Sequence, residues 1–415
     1  MDRVVRIGHN AAVTSDDPRD FHSAAPVPVR LTKGDPPTAP RPTPPVRRRT
    51  ALIAGLAAVG GAVCGAGALT LPKLFDRETV PGTPVADPTV TAGQIRWRAA
   101  VPVRTDMDWT PPAVVAGTVF ATAENGILHA LDTATGKTRW TAVAGANIDY
   151  GPLAVAGVVI VATELPLVAF DASTGERRWR TEDATTTGQL CASADGGVVY
   201  AMASGRPYVR GVSAIDSRTG RILWMTPTGG ASGPLDLSAG AGIVAAVDGE
   251  ALVALDAATG ALRWRTEIQG FMAKPTVGAN TVVVAGASTG LEVFDLASGA
   301  PLWTARAHLA DYAAVAGDLT YAGGGYWVGS YETTTVQAFD TRTGRLRWSK
   351  GKTGAPPVVV NATVFTAEGR KVSALDAATG SQRWECDIGM ATSAVAANDD
   401  TAFVYGDGYV YAIAL

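Results

Sequence analysis

Carboxylates repeated at a fixed spacing are raw material for a calcium site or an acid–base array, and this chain repeats one seven times. The frame is Asp-x-x-(Thr/Ser)-Gly-x-x-x-Trp. It appears as Asp132/Gly136/Trp140, Asp171/Gly175/Trp179, Asp216/Gly220/Trp224 and Asp256/Gly260/Trp264, and again as Asp295/Gly299/Trp303, Asp340/Gly344/Trp348 and Asp376/Gly380/Trp384. Each aspartate stands four residues before a glycine. An Asp side chain bonds turn amides, and a Gly supplies the positive-φ residue of a type I turn with a bulge. The array therefore reads as seven turns, with a large flat indole after each that fills the gap between neighbouring sheets. These residues are assigned structural roles, together with Trp97 of the partial copy Gly93-Gln94-Ile95-Arg96-Trp97.

The other chemistry-bearing patterns are sparse. Gly286-Ala287-Ser288-Thr289-Gly290 matches a nucleophile elbow, but that motif needs a strand–turn–helix setting and here it joins two strands of one repeat. Asp106 and Asp108 could ligate calcium, yet two carboxylates make a poor site. Three cysteines (Cys64, Cys191, Cys386) form no CxxC and no adjacent pair, so neither a zinc module nor a disulfide framework is signalled. All three read as reduced, buried thiols. Four histidines, His9, His22, His129 and His308, leave little for a histidine-based metal site. The net charge of −3 excludes a strongly basic nucleic-acid footprint for the whole chain.

The elements that position these residues follow from the repeat. Successive repeat tryptophans lie 36 to 45 residues apart, and eight of the chain's ten occupy this position. Within 151–182 the pattern predicts four strands: A at 152–156, B at 158–163, C at 167–170 and D at 177–181. No helix-length amphipathic run occurs from residue 93 onward, and 47 Gly with 25 Pro argue for many turns. The C-terminal Val410-Tyr411-Ala412-Ile413 aligns with strand C and lacks a D; the start at 93–97 aligns with D and lacks a C. The two fragments complement one another. The expected fold is all-β, an eight-bladed propeller of four-stranded blades closed by its N- and C-terminal strands.

The element Ala-x-Asp-x-x-Thr-Gly-x-x-x-Trp, as at Ala254 to Trp264, resembles the repeat of the pyrroloquinoline-quinone (PQQ) family, over residues 93–415. The WD40 and kelch marks are missing. That family includes quinoprotein dehydrogenases and non-catalytic propellers: an outer-membrane assembly lipoprotein, and sensor-like ectodomains of bacterial receptor Ser/Thr kinases. The non-catalytic, membrane-anchored type is the expected match. No His-Arg-Asp loop, Asp-Phe-Gly or Gly-rich loop with its lysine is present. The dehydrogenases that the resemblance brings in carry a vicinal cysteine disulfide and a calcium site with an aspartate base. Their catalytic positions map onto no residue here, so no cofactor and no metal is expected, and the chain reads as not an enzyme.

Three further segments precede the propeller. Residues 1–50 hold nine prolines and a charge of nine Lys/Arg against five Asp/Glu, which predicts a disordered cytoplasmic tail. Residues 51–71 carry no charge and follow Arg47-Arg48-Arg49; the length suits a membrane-spanning signal anchor with its N-terminus cytoplasmic. Residues 72–92 are a linker. Two other readings of the apolar segment stay open, a twin-arginine export signal cleaved after Ala66-Gly67-Ala68 and a lipid anchor at Cys64. All three deliver the propeller outside the membrane.

Strands alternate in direction, so the B–C and D–A connections share one face. The two longest repeats carry their extra length between B and C, with Arg206, Tyr208 and Arg210 in one and Tyr326, Trp327 and Tyr331 in the other. D–A segments add Trp109, Asp149, Tyr150, Lys274, Asp311 and Tyr312 near the channel mouth. Aromatics with arginine favour recognition. The expected function is therefore a binding or scaffold module for a protein or cell-envelope ligand, tied to the membrane through one helix and with no nucleic-acid role. The alternative is a PQQ-dependent oxidoreductase.

Overall fold

The computed structural model describes residues 90–102, 111–123, 125–145, 148, 150–163, 166–181, 185–205, 209–229, 234–269, 274–286, 290–306, 312–324, 334–389, 395–406 and 408–415. The chain divides into Met1–Ala54 and Gly55–Leu415, and every described residue belongs to the second unit. The expected tail, the 51–71 span and the linker up to residue 89 lie outside the described residues. Among the described residues every regular element is a strand, and no helix is long and apolar enough to cross a membrane.

The strands form eight antiparallel four-stranded sheets. Seven are contiguous in sequence. Blade 2, for example, runs Leu153–Val155, Val158–Ala162, Leu167–Asp171 and Arg177–Arg180. The eighth takes strands A to C from the C-terminus (Val395–Ala397, Thr401–Gly406, Tyr409–Ala414) and strand D from Ile95–Ala100. Trp97 pairs with Ala412 across this seam. The inner strands touch their neighbours around the circle, blade 8 meeting blade 1, so the ring is closed as expected.

Packing explains the strand sequences. The core is eight apolar clusters, each shared by two consecutive blades; one joins Ile243, Ala254 and Trp264 to Val282 and Phe294, and another joins Phe403 and Val410 to Val119 and Leu131. Strands B and C are covered on both faces, so they read as continuous apolar runs such as Val158–Ala162, buried throughout. Strand D lies at the rim and alternates, as in Ile222–Pro227.

Each repeat unit does what its residues dictate. In blade 4 the Asp256 carboxylate accepts from the Ala258 and Thr259 amides at 3.1 and 2.9 Å and from the Thr259 hydroxyl at 2.8 Å. Gly260 has φ +72°, and the C–D ladder shifts register between Ala254 and Leu255. The following Trp264 donates from Nε1 to Leu296 O of the next blade at 2.9 Å, and its ring lies on Gly299, where an added Cβ would stand 2.6 Å away. The same relay carries Trp97 to Gly136, Trp140 to Gly175, Trp179 to Gly220, Trp224 to Gly260, Trp303 to Gly344 and Trp348 to Gly380. Trp384 completes it against Gly93, the glycine of the split blade.

One difference concerns blade 3. The sequence places its extra residues in a B–C loop over 204–210; the strands instead extend to Val198–Gly205 and Val209–Asp216, with Ser204 opposite Arg210. Continued ladder pairing satisfies backbone groups that a loop would leave to water, so the insertion lengthens a hairpin.

Candidate functional site

The face that bears the D–A and B–C connections is built on the starts of the inner strands. Blades 4, 5 and 6 begin theirs as Pro234–Gly240, Lys274–Val277 and Tyr312–Ala316. Side-chain bonds between blades fix these three strands to each other. The Ser238 hydroxyl accepts from the Val277 amide at 3.1 Å, and the Thr276 hydroxyl donates to Ala313 O at 3.0 Å. The floor of the site is therefore cross-linked by polar contacts inside the core, where such bonds resist exchange with water.

On that floor stands a three-residue cluster, one residue from each blade. The Lys274 ammonium donates to Tyr312 Oη at 2.8 Å, lies 3.9 Å from the Tyr312 ring centroid and sits 3.8 Å from Asp236 Oδ2. The Asp236 side chain is 10 % exposed and that of Lys274 31 %. Asp236 Oδ1 accepts from the Leu237 amide at 2.9 Å. A carboxylate held this way fixes the ammonium, and the ammonium fixes the phenol. Over the Tyr312 ring lies Gly324, where an added Cβ would be 2.9 Å from the ring; it begins the long blade 6 B–C connection. On strand C of blade 5, Glu292 is buried and accepts from the Gln269 amide at 2.9 Å.

Of the twelve residues expected on this face, the structure brings Lys274 and Tyr312 into contact and sets Tyr150 just ahead of the inner strand of blade 2. Arg210 is in strand C of blade 3. Trp109, Asp149, Arg206, Tyr208, Asp311, Tyr326, Trp327 and Tyr331 lie outside the described residues, as do Asp106 and Asp108. Asp236 escaped the sequence reading because it belongs to no repeat motif. Its signal was a charge inside an inner strand, Pro234-Leu235-Asp236, where blade 2 has Pro152-Leu153-Ala154.

Among the described residues, several groups of potentially reactive type are buried or engaged elsewhere. Cys191 is a buried free thiol on the inner strand of blade 3; burial, reinforced by the Asp236 charge, pushes its pKa well up, so it is no thiolate at neutral pH. Cys386 is also free and buried, on the outer strand of blade 7. Burial keeps His129, on strand C of blade 1, below its usual pKa. The Gly286–Gly290 pattern spans strands B and C of blade 5, with residues 287–289 outside the described ones. The repeat aspartates are committed to their turns. The Arg263 guanidinium, then the Thr259 hydroxyl, hold Asp256 down at about 2. The pairs Asp132–Arg139, Asp171–Arg178, Asp340–Arg347 and Asp376–Arg383 repeat the contact. Among the described residues no group of three or more His, Cys, Asp or Glu could hold a metal ion.

Geometry of this kind defines a class: an eight-bladed propeller of PQQ-like repeats whose motif residues serve the fold. The family model described as outer membrane protein assembly factor BamB matches residues 85–233, 210–329 and 332–415, and the chain belongs to that family. Serine/threonine-protein kinase AfsK of Streptomyces coelicolor is 31 % identical over 105 residues, 25 % of this chain and 13 % of the kinase; the match thus spans a small part of that relative. Among solved structures, BamB from Moraxella catarrhalis has a TM-score of 0.58 at 19 % identity, covering 78 % of this chain and 99 % of that one. The computationally designed Ika8 protein scores 0.61 at 16 % identity over 76 % and 100 %. Quinohemoprotein alcohol dehydrogenase from Comamonas testosteroni scores 0.54 at 16 % over 77 % and 76 %. At these identities the likeness is one of fold.

Proposed function

We propose that this chain is a membrane-anchored, extracytoplasmic binding module that presents its D–A/B–C face to a protein or envelope ligand and catalyses nothing. The observation that carries this reading is the Asp236–Lys274–Tyr312 cluster, a carboxylate, a cation and a phenol fixed on three cross-linked inner strands. A partly exposed ammonium over an aromatic ring receives an anionic or carbonyl group of a partner, and rigid strands lower the ordering cost of doing so. Membership in a family described as an assembly factor supports a protein as the partner. The 105 residues shared with AfsK, in a chain without kinase motifs, support the likeness to a receptor-kinase ectodomain. For the anchor, the support is the uncharged run 51–71 behind Arg47-Arg48-Arg49.

The residues present do not fit the quinone of the dehydrogenases that share this fold. No two cysteines are adjacent anywhere in the sequence, and Cys191 and Cys386 lie on an inner strand of blade 3 and an outer strand of blade 7. Neither can join the other in a vicinal disulfide. Calorimetric titration of the chain with pyrroloquinoline quinone, with and without calcium, tests the point. The expected result is no saturable site under either condition; a single tight site with calcium-dependent dye reduction would replace this reading with an oxidoreductase.

A further inference from the structure

We propose that strand D of blade 3, Ile222–Pro227, is the edge through which two copies of this chain associate, by antiparallel pairing about a two-fold axis. Every blade meets the same problem at its rim. Strand D is the outermost of four, so one side of its backbone has no ladder partner within the sheet, and such edges template unwanted pairing unless charge or proline blunts them. Six blades blunt theirs with an arginine directly before the repeat tryptophan: Arg96, Arg139, Arg178, Arg263, Arg347 and Arg383. Blades 3 and 5 do not. They carry Leu223 and Leu302 there.

Blade 3 goes further. Ile222, Leu223 and Met225 are 38 %, 40 % and 38 % exposed, and the strand Ile-Leu-Trp-Met-Thr-Pro holds no charge. Charge also decides the occupant. A strand that meets its own copy antiparallel brings its charges against themselves, so blade 2, with Arg177, Arg178 and Arg180 in Arg177–Arg180, repels its copy. Blade 3 meets no such penalty. With Trp224 on the two-fold axis, Leu223 faces Met225 of the second copy and Met225 faces its Leu223. These side chains are two residues apart and share one face of the strand, giving two apolar cross-strand pairs on the outer surface. Blade 5 is the weaker edge, because it exposes one large apolar side chain, Leu302, and its Pro301, with no amide to donate, directly precedes that residue, whereas Pro227 of blade 3 falls outside the pairs that 222–226 form about Trp224. Isologous pairing also closes on itself and leaves no edge to propagate.

The sequence supplies its own test substitution. Leu223→Arg installs the residue that six other blades carry at this place, and it stands seven residues after Asp216 as Arg263 stands after Asp256, so it suits the fold. Sedimentation equilibrium of the full chain in a mild non-ionic detergent reads the outcome. The wild type is expected at twice the chain mass. Leu223→Arg is expected at one chain mass with an unchanged or higher Tm, as is Met225→Lys on the same face, while Leu302→Arg remains dimeric. A monomeric wild type overturns the proposal and leaves the edge to a strand of a different protein. Dimers that survive both Leu223→Arg and Met225→Lys overturn it as well, as does dissociation by Leu302→Arg alone. The proposal is independent of what the D–A/B–C face binds.

Discussion

The indole relay sets the stability of each blade interface one residue at a time. Trp264 is 9 % exposed, spans a cluster shared by blades 4 and 5, and donates to Leu296 O. Trp264→Ala is expected to cost about 3–5 kcal/mol, the range for large aromatic truncations in cores, measured by chemical denaturation; an unchanged midpoint would contradict the inter-blade role. Gly299→Ala attacks the same contact from the other side. Its φ of +71° alone costs an alanine roughly 1–2 kcal/mol, and the new methyl meets the indole besides. The aspartates set the acid limit. Asp256, Asp340 and Asp376 are held at about 2 against an ordinary 3.8, by Arg263, Thr343 and Arg383 respectively as the largest influence. A depressed folded-state pKa contributes stability that is present above the unfolded value and lost as pH falls toward the folded one. Thermal melts should therefore drop between about pH 4 and pH 2, and a flat Tm across that window would refute the assignment. Asp, Gly and Trp were legible because each has one reason to recur at its spacing. The arginine before the Trp was not, since an exposed cation on an outer strand reads as solvated until its carboxylate is seen 2.7 Å away, as for Arg263 and Asp256.

At the scale of elements, turns and seams are where the chain commits to its register. Several A–B hairpins turn through two positive-φ residues, Ala-Gly at Ala116-Gly117, Ala156-Gly157 and Ala241-Gly242, but Asn361-Ala362 in blade 7. Ala362, at φ 59°, lacks the freedom glycine has there. Ala362→Gly is expected to raise stability by about 0.5–1 kcal/mol, read from the denaturation midpoint; a loss would mean that the methyl packs. Ile95–Ala100 has a larger task. It supplies strand D of blade 8 and sets Trp97 on the Gly136 turn of blade 1. A chain shortened to begin at residue 101 should lose the cooperative unfolding transition, whereas a shortened chain that melts like the parent would contradict closure by this strand. The seam could be read from sequence because a D without a C and a C without a D occur at opposite ends. The blade 3 hairpin could not. Its extra residues carry no turn signal that distinguishes a longer ladder from a loop, and only the pairing of Ser204 with Arg210 decides it.

For the whole molecule, ring closure separates two surfaces of different make-up. The rim is a set of outer strands, six with an arginine before the tryptophan and two, in blades 3 and 5, with an exposed leucine there. The D–A/B–C face gathers groups from different blades that no local motif announces, which is why Lys274 and Tyr312 were foreseen as face residues but their carboxylate partner Asp236 was not. The central claim is that this face takes a protein or envelope ligand. Site-specific photocrosslinking in cells tests it most directly, with the photoreactive residue at the exposed Gln269, at the start of the blade 4 D–A connection, in one full-length chain and at Lys137, on a C–D turn of the opposite face, in another. The expected result is a discrete adduct from position 269 that Lys274→Glu abolishes, and none from position 137. Adducts from 137 alone, or no adduct from 269, would contradict it.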